Sequence, residues 1–501
     1  MNATSWWALA FSSSALAADC RDCHAAIAEA FSKTGMGRSV MERPSPSPGT
    51  CFHKLSNRHY TIRDGAMRRH QLSARGQEIN TVEKRIDWAI GSGNHAITYA
   101  SRNSAGQLIE LPVSWYSQER VYAMSPGYDR PDHFDMRREV NESCLSCHSD
   151  SPQPAPIGCG RCHGDASRHL AKPGRGSILN PASLAPARQL DICLQCHLET
   201  ASSGFTDSLR QPGRAAFSFR PGEPLANFKL YFDRTDPAES RLDINHAGYR
   251  LLRSACFTKS QGRMTCTTCH DPHAARVRDG SCAACHDSAH SRERTDCVGC
   301  HMPKRRTRDA IHVAMTDHWI RRSSTYEEPA REDHRSYAGP LVGFHTPVDD
   351  LSLRIANARQ PSADMADLYR RRLRLAPDEG QTWAALGNVL FRLGRTKESQ
   401  AALDRALRLD PSHAGAINTA AVLRGSAGAT AEAIRLLEAG RTANPDHSLT
   451  WFNLGEAYRV AERKEEAAAA FREAIRLQPD FAEARVALAG LAPAGFSIEI
   501  K

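Results

Sequence analysis

The sequence predicts a mainly α chain in two parts: a cysteine- and histidine-rich region with few short strands, then an α-solenoid of helical hairpins. Three observations predict this. All sixteen cysteines lie before residue 302 of the 501. Fourteen of them fall into seven Cys-x-x-Cys-His units, starting at Cys20, Cys144, Cys159, Cys193, Cys266, Cys282 and Cys297. Beyond them, Pro377, Pro411, Pro445 and Pro479 recur every 34 residues. So abrupt a change in chemistry marks two modules, and the length allows two or three domains. The 24% charged and 41% hydrophobic content fits a soluble protein.

Cys-x-x-Cys-His is the attachment pattern of c-type haem. Two thiols about a turn apart each form a thioether with a haem vinyl group, and the next residue is held under the iron. The covalent set is Cys20, Cys23, Cys144, Cys147, Cys159, Cys162, Cys193, Cys196, Cys266, Cys269, Cys282, Cys285, Cys297 and Cys300. The proximal iron ligands are His24, His148, His163, His197, His270, His286 and His301. Structural zinc also uses Cys-x-x-Cys pairs, but it gives no reason for a histidine directly after all seven. A thioredoxin-like site needs one such pair, and a disulfide framework needs no histidine. The expected cofactor is seven covalent haems c.

Haem changes the reading of the formal net charge of +9. Arginines that would otherwise suggest a polyanion partner are accounted for as partners of haem propionates, so no nucleic acid is expected. Covalent haem attachment in bacteria takes place outside the cytoplasm, which calls for an export signal. "SWWALAFSSSALA" ends in the small-x-small pattern Ala15-Leu16-Ala17 but lacks a basic n-region, giving an atypical signal peptide over residues 1–17. No segment is long and apolar enough to span a bilayer. The expectation is an exported, soluble, periplasmic protein.

Within residues 18–337, "PSPSPG" is a loop, while "HYTIRDG" and "QLIELPVSWY" read as short strands or hairpins. Six motifs then crowd residues 144 to 301, where porphyrins would supply much of the buried apolar surface. Residues 338–360, beginning "AGPLVGFHTPVDD", have the composition of a linker. Besides the proximal seven, thirteen histidines precede residue 346 and two follow it, an excess expected for sixth ligands. His273 follows His270 by three residues and cannot round the porphyrin to the same iron, so it must reach a neighbouring haem. His169, six after His163, and His290, four after His286, fall under the same restriction. The distal candidates are His273, His169, His95, His312, His318, His246 and His59, with His53, His70, His133, His334 and His345 as bystanders. Cys51 and Cys256 are either a disulfide or two unrelated thiols, the second being preferred.

A 34-residue period is that of the tetratricopeptide repeat. "WFNLGEAY" from Trp451 fits its first helix, and Ala467, Phe471, Ala474 and Pro479 fit its second. "WAALGNVL" from Trp383 fits nearly as well, whereas the middle copy places Ile417, Ala420, Ala421 and Arg424 at the corresponding sites. Half-repeats at Asp364 to Ala376 and Phe481 to Gly490 would cap a repeat domain over 361–492, leaving a tail at 493–501.

"CGRCHGDASRH", "CTTCHDPH" and "CVGCHMPKRR" with the later "HVAMTDHWIRR" resemble the multihaem cytochrome c class of tetrahaem electron carriers, hydroxylamine oxidoreductases and pentahaem nitrite reductases. The whole chain resembles a bacterial group that fuses such a domain to tetratricopeptide repeats. The resemblance implies bis-histidine haems packed in pairs and passing electrons edge to edge. Those nitrite reductases carry Cys-x-x-Cys-Lys at the catalytic haem, a motif missing from this sequence. The favoured function is electron transfer between redox partner proteins, with a protein or peptide in the repeat groove. One alternative is an oxidoreductase acting on a small nitrogen or sulfur compound at a five-coordinate haem. The other is a repeat scaffold with haems as redox sensor.

Overall fold

The computed structural model describes residues 14–200, 208–235, 241–274, 276–278, 281–283, 285–286, 296–310, 312–321 and 339–491. Most of the expected signal peptide, His290, His334 and the tail lie outside the described residues.

Residues 40–124 depart most from the mainly helical expectation. They form nine strands: β1 (Val40–Glu42), β2 (Gly49–His53), β3 (Arg58–Arg63), β4 (Ala66–Leu72), β5 (Glu78–Arg85), β6 (Trp88–Ile90), β7 (Ala96–Arg102), β8 (Leu108–Tyr116) and β9 (Val121–Met124). One antiparallel sheet runs β2-β3-β4-β5 and the other β1-β6-β7-β8-β9. In β3, Tyr60 and Ile62 point inward and alternate with His59, Thr61 and Arg63, the period-2 pattern of a strand buried on one face. Asp64 and Gly65 both take positive φ, as a two-residue hairpin between β3 and β4 demands. Tyr60, Ile62, Met67 and Val82 from the first sheet share a core with Tyr99, Leu111, Val113 and Met124 from the second. "HYTIRDG" and "QLIELPVSWY" are therefore parts of two packed sheets rather than isolated hairpins.

The motif-rich region builds an ordinary core after all. Leu190, Leu194, Phe219, Leu225, Phe228, Tyr231 and Tyr249 are buried together. Beside it, Asp317 receives Arg250 at 2.6 Å and Arg305 at 2.7 Å, with all three side chains buried. The expected linker is also structured. Leu341–Phe344 pairs antiparallel with Lys229–Arg234, and the helix Asp350–Asn357 packs Ala356 against Leu230, Phe232 and Leu341. Its N-terminus is capped by Asp349, which accepts from Ser352 N–H at 2.9 Å. Pro and Gly here mark turns flanking a strand, not a free tether.

Helices Gly380–Arg392 and Thr396–Leu409, Ala414–Ser426 and Thr430–Ala443, and Ser448–Val460 and Lys464–Leu477 form three hairpins. Ala363–Leu375 and Ala482–Gly490 flank them as the predicted half-repeats. Trp383 and Trp451 each donate an indole N–H to the carbonyl of Pro377 or Pro445 at 2.8 Å, tying the first helix of a repeat to the preceding turn. Ile417 has no side-chain N–H to give and is buried instead.

The solenoid docks on the sheets along its inter-repeat turns. Arg58 pairs with Asp480 at 2.9 Å, Lys84 with Asp446 at 2.8 Å, and Arg69 donates to the Arg476 carbonyl at 3.0 Å. Arg137 donates to Ser448 and Gln478, each at 3.0 Å, while Gln107 reaches Asn444 at 2.7 Å. Among the described residues no helix is long and apolar enough to cross a membrane.

Candidate haem-binding region

Six of the seven motifs form roughly one helical turn, which brings thiols at i and i+3 onto one face. Cys20–His24 lies within the helix Ser14–Ser32, whose backbone leaves helical geometry at His24. Cys144–His148 ends the helix Glu142–His148, capped by Asn141, which accepts from Ser143 N–H and Cys144 N–H. Gly160–His163 is a single turn stopped by Gly164 at φ 73°. Cys193–His197 closes the helix Pro186–His197. Cys266–Cys269 forms a turn with a Thr265/Thr268 capping box, leaving His270 extended. The His286 amide reaches the Cys282 carbonyl at 3.0 Å, and Asp296 caps Cys297–His301 through Gly299 N–H at 2.8 Å.

No disulfide joins any two of the sixteen cysteines, Cys51 and Cys256 included. Burial pushes the Cys51 thiol up to about 11, with Asp129 adding to it. Cys147 lies beside Cys196, and Cys193 beside Cys266, so the second, fourth and fifth motifs are neighbours. His197 is exposed, yet desolvation by the protein around the ring lowers its pKa. His24, His148, His270 and His286 are exposed as well.

Three of the seven distal candidates face a motif histidine across a gap. His169 lies opposite His24, with ring centroids 6.2 Å apart and planes 17° apart. His273 lies opposite His163 at 6.0 Å and 11°. His318 lies opposite His270 at 6.2 Å and 24°. Desolvation by the surrounding protein lowers the pKa of His270, His273 and His318, which favours the neutral, lone-pair-bearing ring.

The Nδ1 partners are as informative. His163 Nδ1–H donates to the Leu179 carbonyl at 2.9 Å, His318 to Thr316 at 3.0 Å, and His301 to Arg321. Ser177 spends its own hydroxyl hydrogen on Gly174, so His169 Nδ1–H donates to Ser177 Oγ at 2.7 Å. His312 Nδ1–H donates to Glu119 at 2.6 Å. Each such bond places the proton on Nδ1 and leaves Nε2 as the ligating lone pair, the arrangement second-shell groups enforce on metal-binding histidines. These residues therefore fit an axially ligated haem iron. Ser177, Glu119 and the Leu179, Thr316 and Arg321 carbonyls had no signal in the sequence, since ordinary residues and backbone serve as acceptors.

The other candidates are placed differently. His246 is fully buried; its Nδ1 accepts from Asp243 N–H at 3.1 Å and its Nε2 lies 3.2 Å from the Asp243 carboxylate. His59 stacks between Phe52 and His70 on the β2-β3-β4 face, at 4.4 and 5.1 Å. At His95, Gln118 is oriented by two hydrogen bonds with Ala314, so its amide N–H points at His95 Nδ1 at 3.1 Å and the ring proton falls on Nε2. Of the bystanders, His53 and His133 belong to the buried polar cluster around Arg58, and His345 lies 3.7 Å from Asp191. Among the described residues no three His, Cys, Asp or Glu side chains cluster as metal ligands.

The tetratricopeptide repeat model matches residues 380–413 and 448–481, the two hairpins that carry Trp383 and Trp451. A curated relative, the cytochrome c-type biogenesis protein CycH of Rhizobium meliloti (strain 1021), is 31% identical over 146 residues. That alignment covers 28% of this chain and 35% of CycH, so the chain spans about a third of that relative's length. Among solved structures, MamA 41-end from Desulfovibrio magneticus RS-1 is 22% identical, covering 28% of this chain and 77% of that one at TM-score 0.26. YrrB, described as a TPR protein with an unusual peptide-binding site, is 27% identical, covering 25% of this chain and 64% of that one at TM-score 0.23. The C-terminal part of the chain is thus an array of tetratricopeptide repeats.

Proposed function

We propose that the chain is an exported seven-haem c-type cytochrome that passes electrons between redox partner proteins, and that its repeats serve protein–protein assembly. The observation that carries this reading is the motif itself, seven times intact and folded as a turn in the six copies whose residues are all described. Every copy offers two thiols three residues apart for thioether bonds and a histidine beside them for the iron. Haem, when bound, supplies reversible one-electron exchange. The protein's part is to hold and orient it. Nδ1–H donors to Leu179, Thr316, Arg321, Ser177 and Glu119 fix imidazole tautomer and direction. Arg161, which lies against Cys196, would be placed to offset propionate charge. At the three motif histidines that stand opposite a second histidine, a haem would have no position left for a substrate, which favours a carrier over an enzyme at those sites.

A reductive titration of the purified haem-loaded protein tests this. A carrier takes up one electron per haem from a small reductant and returns it to an oxidising protein partner, with no net conversion of nitrite, hydroxylamine or thiosulfate. Steady turnover of one of these at a high-spin haem would replace the carrier reading with the oxidoreductase one.

A further inference from the structure

We infer that three haem irons are wired in a stagger, each taking its sixth ligand from the segment that follows the motif two places later in the chain. The inference deepens the haem reading above and rests on it. His169 follows the third motif and faces His24 of the first. His273 follows the fifth and faces His163 of the third. His318 follows the seventh and faces His270 of the fifth.

The spacing of the rings carries the argument. With metal–imidazole bonds of about 2 Å and a ring centre roughly 1 Å behind the ligating nitrogen, trans imidazoles put their centroids about 6 Å apart. The three pairs stand at 6.0, 6.2 and 6.2 Å. Touching rings come closer, as His59 and His70 do at 5.1 Å. Two imidazoles that both stand upright on a porphyrin can lie nearly parallel, and these planes differ by 11 to 24°. Every pair joins one motif histidine to one outside the motifs. In each pair at least one ring has its Nδ1 proton spent on a neighbour, so that Nε2 is left for the metal.

Sequence separation supplies the rest. Three residues from His270 to His273, or six from His163 to His169, are too few to round a porphyrin, so each segment must serve a neighbouring iron as well as its own. The segments 163–169 and 270–273 therefore each bind two haems, and the first, third, fifth and seventh motifs are interlocked in that order.

The test uses the full-length, haem-loaded protein. His273→Ala should keep all covalent haem by pyridine haemochrome yet add one high-spin, carbon-monoxide-binding haem to the wild-type spectrum. The same substitution combined with Cys159→Ser and Cys162→Ser should remove that new signal along with one haem, because the iron that lost its ligand belongs to the third motif. Persistence of the high-spin signal in the triple variant overturns the stagger, as does an unchanged low-spin spectrum in His273→Ala. Should His273→Ala not accumulate, His273→Met keeps an axial ligand; a shift of one haem to histidine–methionine ligation supports the wiring, and an unchanged spectrum overturns it. Protein matured with no covalent haem overturns the haem reading itself, which sets that failure apart from a failure of the wiring alone.

Discussion

Asp135 has no exposed surface, and its carboxylate lies 2.8 Å from Arg69 Nε and accepts from Tyr60 Oη at 3.1 Å. Burial alone would raise its pKa, but Arg69 and Arg58 outweigh that and hold it below the usual carboxylate range. Removing one partner of such a buried pair leaves a charge without compensation, so Asp135→Ala should cost about 3–5 kcal/mol in chemical denaturation. His447 gives a pH signature at the same interface. Burial, helped by the nearby Arg137, lowers its pKa to about 4, against about 6.5 unfolded. The folded ring stays neutral while the unfolded chain takes up a proton. Its share of stability is therefore complete above about pH 6.5 and is lost as pH falls toward 4. His447→Asn should flatten that part of the pH–stability curve, measured by thermal melting across the window. An identical slope in the variant would remove His447 from the account. Neither burial is signalled locally: a histidine at a helix N-terminus and an aspartate in a loop look like surface groups until the partner module covers them.

At the scale of elements, small residues set how closely repeat helices approach. A Cβ on Gly455 would lie 2.5 Å from Phe471, and one on Gly387 would lie 2.6 Å from Leu403. Gly425, also helical, has only Ala433 at 4.0 Å. Replacing glycine by alanine in a helix gains up to about 1 kcal/mol in propensity, whereas overpacking costs about 1–3 kcal/mol. Gly455→Ala should therefore lower the Tm of the protein and Gly425→Ala should raise it slightly; the opposite order would mean that the hairpins repack freely. The repeats were legible because Trp, Gly, Ala, Phe and Pro recur at fixed offsets. In the middle copy Ile417 and Arg424 blur the pattern although the hairpin still forms, stabilised by its two neighbours. The Cys-x-x-Cys-His units stand out for a related reason, as attachment chemistry would tie residue types to positions. Distal partners were not, because the three-residue step from His270 to His273 excludes one iron without choosing another. The sheets were half legible: alternation marked β3 and β8, but nothing local told that both face one core.

For the whole molecule, the structure joins what composition divides. Arg58, Arg69, Lys84 and Arg137 hold the inter-repeat turns, so the solenoid is braced against the sheets. Ending the chain near residue 360 should leave haem content and spin state unchanged while lowering the thermal stability of the N-terminal part, as read by circular dichroism and limited proteolysis. Unaltered melting would reduce the brace to a passive contact. Long-range docking of this kind depends on residues several hundred positions apart, such as Arg58 and Asp480, and no local pattern encodes it. The central claim concerns the seven motifs, and counting haem tests it most directly. Protein matured with haem-attachment machinery in an oxidising compartment should show seven covalent haems per chain by pyridine haemochrome and intact mass. A chain whose thiols carry zinc and no covalent haem would contradict the account.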